Sequence, residues 1–269
     1  MKIPFTKAHG ARNDFLLTWR SEAPEPAAAD HAQIAQAICD RHTGIGADGW
    51  MLVDPPGDDA ADGAIQLYNS DGSKAEISGN GTRCAAAFLI RHGHAASMVR
   101  IRTGAGIKTL RLLKRRDLEF EFEMNMGRPE ITAERFPLEL SYGPRDVTLL
   151  WVGNPQCAVP VENFDFDWRA MGAEIERHPH FPNRTNVSFV KPVDEHTIDV
   201  RFWERGAGET MSSGTGSTGA AAMAIARGMA KSPVRVVTPA GPIDLRFEED
   251  IFLTGPAEIV ADGEFLLRP

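Results

Sequence analysis

NSDGSKAEISGNGTRCAAAFLIRHG, residues Asn69 to Gly93, occurs in this chain twice, the second time in altered form. Sliding the sequence along itself by 135 residues places Ser78-Gly79-Asn80-Gly81-Thr82 on Ser213-Gly214-Thr215-Gly216-Ser217, and Gly93 on Gly228. The register holds beyond the stretch: Val99-Arg100 falls on Val234-Arg235, Thr103 on Thr238, Ala105-Gly106 on Ala240-Gly241, and Leu110-Arg111 on Leu245-Arg246. An offset kept at so many positions marks an internal repeat, and two copies mark a duplicated domain, not a solenoid.

Both copies have one physical form. A glycine-rich turn with small hydroxyl residues runs into an apolar, alanine-rich segment, Cys84 to Ile90 in the first and Gly219 to Ala226 in the second. Ser or Thr at such a junction caps the first turn of a helix, and the glycines leave room to approach its free N–H groups. A helix start with exposed N–H groups and the positive end of a dipole suits an anion. Two such starts, related by a pseudo-twofold axis across a cleft, would flank a small carboxylate with Ser78 and Ser213. For either copy alone a simple N-cap is the plainer reading; the repetition favours a shared site.

At 269 residues the chain has room for two ordinary domains. Its 42% hydrophobic and 25% charged residues are those of a globular protein, and a net charge of −8 gives no electrostatic case for nucleic acid or an anionic membrane. The N-terminus MKIPFTKAHG has no signal-peptide core, and no stretch approaches the roughly 18 apolar residues of a membrane span. Three cysteines, Cys39, Cys84 and Cys157, fit a reducing cytoplasm better than a disulfide framework or structural zinc.

Along the chain, FLLTW (Phe15 to Trp19) reads as a strand after the polar turn His9 to Asp14, and Pro24 to Ala29 reads as a loop. Asp30 caps a helix through Ile34, Ile38 and Cys39. The run TGIGADG (Thr43 to Gly49) then ends it ahead of a strand at Trp50 to Val53. That order, helix then glycine turn then strand, is the reverse of a phosphate-binding loop. Strands are expected at Ile65 to Tyr68, Val99 to Arg102, Gly106 to Leu113 and Leu118 to Met124, with the basic RLLKRRD segment (Arg111 to Asp117) as a solvated hairpin. Gly127 to Asp146, rich in Pro and Glu, reads as the crossing between halves. The second half repeats the plan: strands at Val147 to Val152, through Val161, at Val187 to Val190 and at Thr197 to Trp203, with a helix around Trp168 to Arg177. Strands predominate, with one long buried helix per half, which is an α+β class with two similar lobes.

Asn69 and Glu204 each lie nine residues before their serine, so one half offers an amide where the other offers a carboxylate followed by Arg205. An adjacent Glu and Arg usually form a surface pair of little worth; in a loop beside a ligand, the Arg could clamp a carboxylate bidentately. Asn13, Asn69, Asn154 and Asn186 stand at expected strand ends, as turn formers singly and as amides suited to a zwitterionic small molecule together.

The phrases HG-x-x-NDF (His9 to Phe15), N-x-DGS (Asn69 to Ser73), GNG-x-RC (Gly79 to Cys84), GNP-x-C (Gly153 to Cys157) and ERGAGET (Glu204 to Thr210) resemble the diaminopimelate epimerase family over nearly the whole chain. The resemblance implies two pseudo-symmetric lobes, each a barrel-like antiparallel or mixed sheet wrapped on a central helix, with the active site in the cleft. It places the N-terminal lobe at 1–126, completed by a strand at 262–269, and the C-terminal lobe at 127–261. It implies a cofactor-independent isomerase of the lysine and peptidoglycan precursor pathway, with no PLP and no metal, which inverts an amino-acid α-carbon by two-base proton transfer. Carried over by residue, the backbone N–H groups of Gly79, Asn80, Gly214 and Thr215 would hold the reacting α-carboxylate. Asn13, Asn69, Asn154, Asn186 and Glu204 would contact substrate, and Arg205 the distal carboxylate.

The departures lie at the reacting positions. Where the family has its two catalytic cysteines this chain has Ser78 and Ser213, and Cys84 and Cys157 match non-catalytic ones. Gln156 replaces a usual His, Gly49 a usual polar residue, Arg12 a usual Gly, and Ser217-Thr218 a common Ala-Cys pair. A thiol at a helix start can supply thiolate near neutral pH. A hydroxyl is a far weaker acid and needs a neighbouring base, for which Glu204 is the candidate. The readings left open are a serine-pair epimerase acting on LL-diaminopimelate, a racemase or isomerase acting on another substrate, an engineered Cys-to-Ser variant, and a paralogue that binds an amino acid without turnover. Glu204, Arg205 and the asparagines favour ligand binding under every reading; the partner expected is a small dicarboxylic, zwitterionic amino acid, with no nucleic acid and no membrane, the location cytoplasmic, and a homodimer possible.

Overall fold

The computed structural model describes residues 1–25 and 30–267. It divides into two compact units, Met1–Met124 with Gly255–Pro269, and Asn125–Thr254. Part of the expected loop at Pro24 to Ala29 and the end of the expected strand at 262–269 lie outside the described residues.

The first unit opens with a hairpin, β1 (Lys2–Gly10) and β2 (Asn13–Trp19). The expected turn from His9 to Asp14 contracts to Ala11-Arg12, both with positive φ (49° and 61°), because His9 and Asp14 are already paired across the ladder. Helix α1 (His31–Cys39), capped by Asp30 through Ala32 N–H at 2.9 Å, carries the chain to β3 (Gly49–Asp54), parallel to β2. β4 (Gly63–Asn69) runs antiparallel to β3, followed by the short β5 (Lys74–Ala75). Helix α2 (Gly79–Arg91) then crosses to β6 (Met98–Thr103), parallel to β4. β6, β7 (Gly106–Arg116) and β8 (Glu119–Gly127) form an antiparallel meander. The chain's last strand, Ile251–Leu266, pairs with β8 and with β1, from Lys2↔Leu266 to His9↔Glu258, closing a ring of eight strands.

The ring needs two layers of core. Outside it, α1 packs Ile34, Ala35, Ile38 and Cys39 on Ile3, Leu16, Trp50, Leu52 and Tyr68. Inside it, every residue of α2 from Gly79 to Ile90 is buried. Strands β2 and β3 therefore have apolar cover on both faces, which is why FLL and WMLV read as unbroken apolar runs instead of alternating ones. A helix apolar all round belongs in a core, and only small side chains let a sheet close on it: a Cβ on Gly81 would stand 2.8 Å from Met51 Cε.

The second unit begins with β9 (Glu130–Leu138), antiparallel to β10 (Arg145–Trp151). The Gly127 to Asp146 segment is thus not a mere crossing. Glu130, Glu134 and Pro137, all exposed, lie in that strand, and Pro137 still pairs with Asp146. β11 (Pro155–Pro160), α3 (Trp168–Glu176), β12 (Asn186–Asp194), β13 (Thr197–Glu204) and the short β14 (Gly208–Thr210) follow. Helix α4 (Gly214–Ala226), β15 (Val234–Thr238), β16 (Gly241–Phe247) and the start of the last strand, β17 (Ile251–Leu266), complete it. The parallel pairs β11–β12 and β13–β15 repeat β2–β3 and β4–β6, and α4 is buried from Gly214 to Ala224 as α2 is. Even the turns repeat. Thr103 Oγ1 donates to Gly106 O and accepts Ala105 N–H, and Thr238 does the same with Gly241 O and Ala240 N–H.

One charged side chain is wholly inside the first barrel. Arg83, on α2, donates from Nε to Pro256 O at 3.0 Å, from Nη1 to Gly79 O at 3.4 Å and from Nη2 to Asn80 Oδ1 at 2.5 Å. Burial depresses its pKa to about 10. Gly255 leaves room for the guanidinium, since a Cβ there would sit 2.9 Å from Arg83 Cζ. Gly255→Ala is expected to destabilise the protein by about 1–3 kcal/mol through overpacking. Urea unfolding with an unchanged midpoint would show that the guanidinium does not lie against residue 255.

Candidate active site

In each unit the residues of interest gather at one end of the sheet, where the central helix begins. In the first, Ser78 is the N-cap of α2: its Oγ accepts Gly81 N–H at 3.1 Å, and its carbonyl accepts Thr82 N–H and Oγ1. The N–H groups of Gly79 and Asn80 belong to the first turn, where no carbonyl four residues back can reach them. Asn13, at the start of β2, accepts Asn80 Nδ2 at 3.2 Å and donates to Asp48 Oδ2 at 2.6 Å. Asn69, at the end of β4, turns to Ser73 Oγ at 3.0 Å.

Behind Asn13 stands a charge cluster that sequence reasoning missed. Asp48 and Asp14 lie side by side: Arg41 Nη2 reaches both at 2.7 Å, and Lys7 Nζ lies 3.1 Å from Asp14. Burial opposes ionisation of Asp14, but the hydrogen bonds from Arg41 and Lys7 outweigh it and hold its carboxyl below the usual range. Asp48, raised by burial and by the charge of Asp14, is above it. A continuous run of polar contacts thus links Arg41, Asp48, Asn13, Asn80 and Arg83, which fixes the amides beside the helix start. Two acids in NDF and GAD and an Arg on an otherwise apolar helix were the available signals.

The second unit arranges the same parts differently. Ser213 caps α4 through Gly216 N–H at 3.1 Å, and its hydroxyl donates to Glu204 Oε1 at 2.6 Å. Ser213 is 2% exposed and Glu204 half-buried, so the hydroxyl end of this bond is shielded from solvent; bonds to ionised acceptors run about 1.5–3 kcal/mol. Asn154 Nδ2 reaches Thr215 Oγ1 at 3.3 Å. Gln156 Nε2 bridges Asn154 Oδ1 at 2.7 Å and Thr215 Oγ1 at 3.2 Å. Gln156, an amide, therefore holds the first turn of α4 without titrating. Asn186 Oδ1 accepts Arg205 N–H at 3.0 Å, and its Nδ2 donates to Pro155 O at 3.1 Å.

The expected residues are thus brought together within each unit: Asn13 with Asn80, Ser213 with Glu204, Asn154 with Thr215, and Asn186 with Arg205. Asn69 and Ser78 instead bond within their own turns, Asn69 to Ser73 Oγ and Ser78 from Gly81 N–H. Among the described residues, no cluster of His, Cys, Asp and Glu could hold a metal ion, and no helix is long and apolar enough to cross a membrane.

A family model described as diaminopimelate epimerase matches residues 5–132 and 148–260. The diaminopimelate epimerase of Halothermothrix orenii is 34% identical over 285 residues, covering 100% of this chain and 99% of that one. That of Pelotomaculum thermopropionicum is 36% identical over 281 residues, covering 98% and 99%. In fold the chain is similar to a hydroxyproline epimerase from Agrobacterium vitis, solved with bound trans-4-OH-L-proline: TM-score 0.76, 16% identity, 98% of this chain and 92% of that one. This duplicated sheet-and-helix fold is a class that solved epimerases and racemases share. Within that class, the chain belongs to the diaminopimelate epimerase family.

Its own thiols are out of reach. Cys39, Cys84 and Cys157 are buried, and desolvation raises the pKa of Cys39 and Cys84 to about 12 and that of Cys157 as well. Such thiols are poor nucleophiles. In the native protein a chromogenic disulfide reagent is expected to label none of them within minutes, and all three after unfolding in guanidinium. A rapid stoichiometric burst on the native protein would contradict the packing around at least one.

Proposed function

We propose that this protein inverts the α-carbon of diaminopimelate, in the manner its relatives' names describe, with Ser213 and Ser78 as the proton-transferring residues. One observation carries the reading: the Ser213 hydroxyl is bonded to a carboxylate, Glu204, at 2.6 Å. A helix start stabilises a negative charge by about 0.3–2 kcal/mol, far too little to bring a serine hydroxyl to alkoxide at neutral pH. With Glu204 as acceptor no free alkoxide is required. As Ser213 Oγ takes the α-proton, its own proton passes to the carboxylate, and the Cα–H electron pair delocalises into the substrate carboxylate. N–H groups of Gly214 and Thr215 at the α4 start would receive the charge that develops there. Gly79 and Asn80 would play the same part at the α2 start.

The two serines are not equivalent in this scheme. Position 69, the repeat partner of Glu204, is an asparagine bonded to Ser73. Ser78 thus has no matching carboxylate from that position, and for one epimer we assign proton abstraction to Ser213 and delivery to Ser78. Ser78 then regains a proton from solvent and Glu204 releases its own to solvent; the other epimer runs the same steps in reverse. Asn13, Asn154 and Asn186 would hold the zwitterion, and Arg205 its distal carboxylate. The reaction so written calls for no cofactor, and the protein would act on a free amino acid in the cytoplasm, as a step toward lysine and peptidoglycan precursors.

The direct test follows deuterium uptake at the α-carbon of LL-diaminopimelate in D2O by NMR. Ser213→Ala and Glu204→Gln are each expected to slow uptake by about 10²–10⁴-fold, the usual contribution of a positioned acid or base, while ligand affinity changes little for Ser213→Ala. Uptake at wild-type rate in Ser213→Ala would remove serine from the mechanism, and binding without uptake in the wild type would make the chain a binding protein.

Arg205 is tested by discrimination. Arg205→Ala is expected to weaken a dicarboxylic diamino acid at least tenfold more than a monocarboxylic one, as measured by calorimetry. Equal losses would rule out a distal-carboxylate clamp.

A further inference from the structure

We propose that Glu176, the last residue of α3, is the positioning residue that holds both loops carrying Asn186, Glu204 and Arg205; this deepens the reading above and rests on it for the role of those three. Its side chain is 2% exposed. Nothing about packing asks for a carboxylate here. It sits at the negative end of its own helix dipole, where a cation would be favoured, and a buried charge must be matched by donors to be tolerated. The apolar face of α3, with Trp168, Met171 and Ile175, already fills the core beside Val187 and Phe189.

The donors that Glu176 gathers come from two separate loops. Oε1 accepts Gly206 N–H at 2.9 Å and is also bound by Arg184 Nη2, and Oε2 accepts Trp203 Nε1–H at 3.0 Å. Trp203 and Gly206 bracket Glu204 and Arg205, so one carboxylate fixes both ends of the dipeptide that meets Ser213 and, by proposal, the substrate. Arg184 anchors the other loop two residues before Asn186, with a left-handed φ of 62° that a non-glycine side chain rarely adopts. Arg205 N–H on Asn186 Oδ1 then ties the loops to each other. The seat is tight: a Cβ on Gly172 would lie 2.8 Å from Trp203 Cβ, so α3 and β13 meet where the indole turns toward Glu176.

The test is Glu176→Gln, which keeps the volume but presents an amide to a set of N–H donors. Backbone hydrogen exchange is measured first, without ligand. Arg205 and Gly206 amides are expected to exchange at least tenfold faster, while amides of α4 keep their wild-type rates. With diaminopimelate, KM is expected to rise about tenfold and kcat to fall. Wild-type exchange at 205 and 206 in folded Glu176→Gln overturns the proposal, and so does a uniform rise across the unit with unchanged KM and kcat, which is what a merely structural residue gives. Should that variant fail to fold, Arg184→Gln carries the same test: faster exchange at Asn186 and Gly206 supports the staple, and unchanged exchange overturns it. If the wild type neither binds nor turns over diaminopimelate, the functional reading fails by that assay, and the exchange measurement still decides the staple.

Discussion

A helix enclosed on every side by a sheet can meet solvent only at its ends, and this constraint orders both halves of the molecule. Enclosure demands small residues, hence the alanines of α2 and α4. It also leaves the first-turn N–H groups at the rim with no backbone partner behind them. A serine satisfies one and glycines keep the others approachable. Strand ends that open onto the same rim then bring amide and carboxylate side chains beside those groups. The anion-seeking character of the rim is therefore a by-product of how the core is built.

Charge distinguishes the halves. In the first, the buried cation Arg83 and the acids Asp14 and Asp48 stand on either side of Asn13 and Asn80, so the amides are held between opposite charges. In the second, two carboxylates do separate work: Glu176 is enclosed by donors, and Glu204 receives the hydroxyl of Ser213. A carboxylate surrounded by fixed N–H groups is a structural anchor, whereas one that accepts a serine hydroxyl is placed to take its proton.

Much of this was legible in the sequence because it is local. Ser-Gly-x-Gly before an alanine run specifies a capped buried helix, and repetition at a constant offset specifies two of them, starting at Gly79 and Gly214. Alternation and glycine turns located most strands. What escaped is nonlocal. Strand β1 hides its pattern behind Thr6, Lys7 and His9 and is completed by the far end of the chain. Strand β9 carries exposed Pro and Glu and so resembles a linker. Arg83, Asp48 and Glu176 look in sequence like ordinary surface charges; only the fold shows that Arg83 and Glu176 are enclosed and Asp48 half-buried. Asn69 was placed with its symmetry mate, yet a serine four residues on competes for its amide.

With serines at both helix starts, the difference between Asn69 and Glu204 is consequential. A cysteine at a helix start can ionise with help from the dipole alone, so two symmetric starts could serve equally well. Serine cannot, and each serine must find an acceptor for its proton. Duplication supplied two equivalent starts, but position 204 retains a carboxylate where position 69 has an amide, so in the proposed reaction only one start can act as base without help from solvent. The ease with which Ser213 gives up its proton would then rest on a single bond of 2.6 Å, and the fidelity of that bond on whatever fixes the backbone of residues 203 to 206. The anchoring of a loop on α3, remote from the reacting carbon, becomes part of the chemistry for that reason.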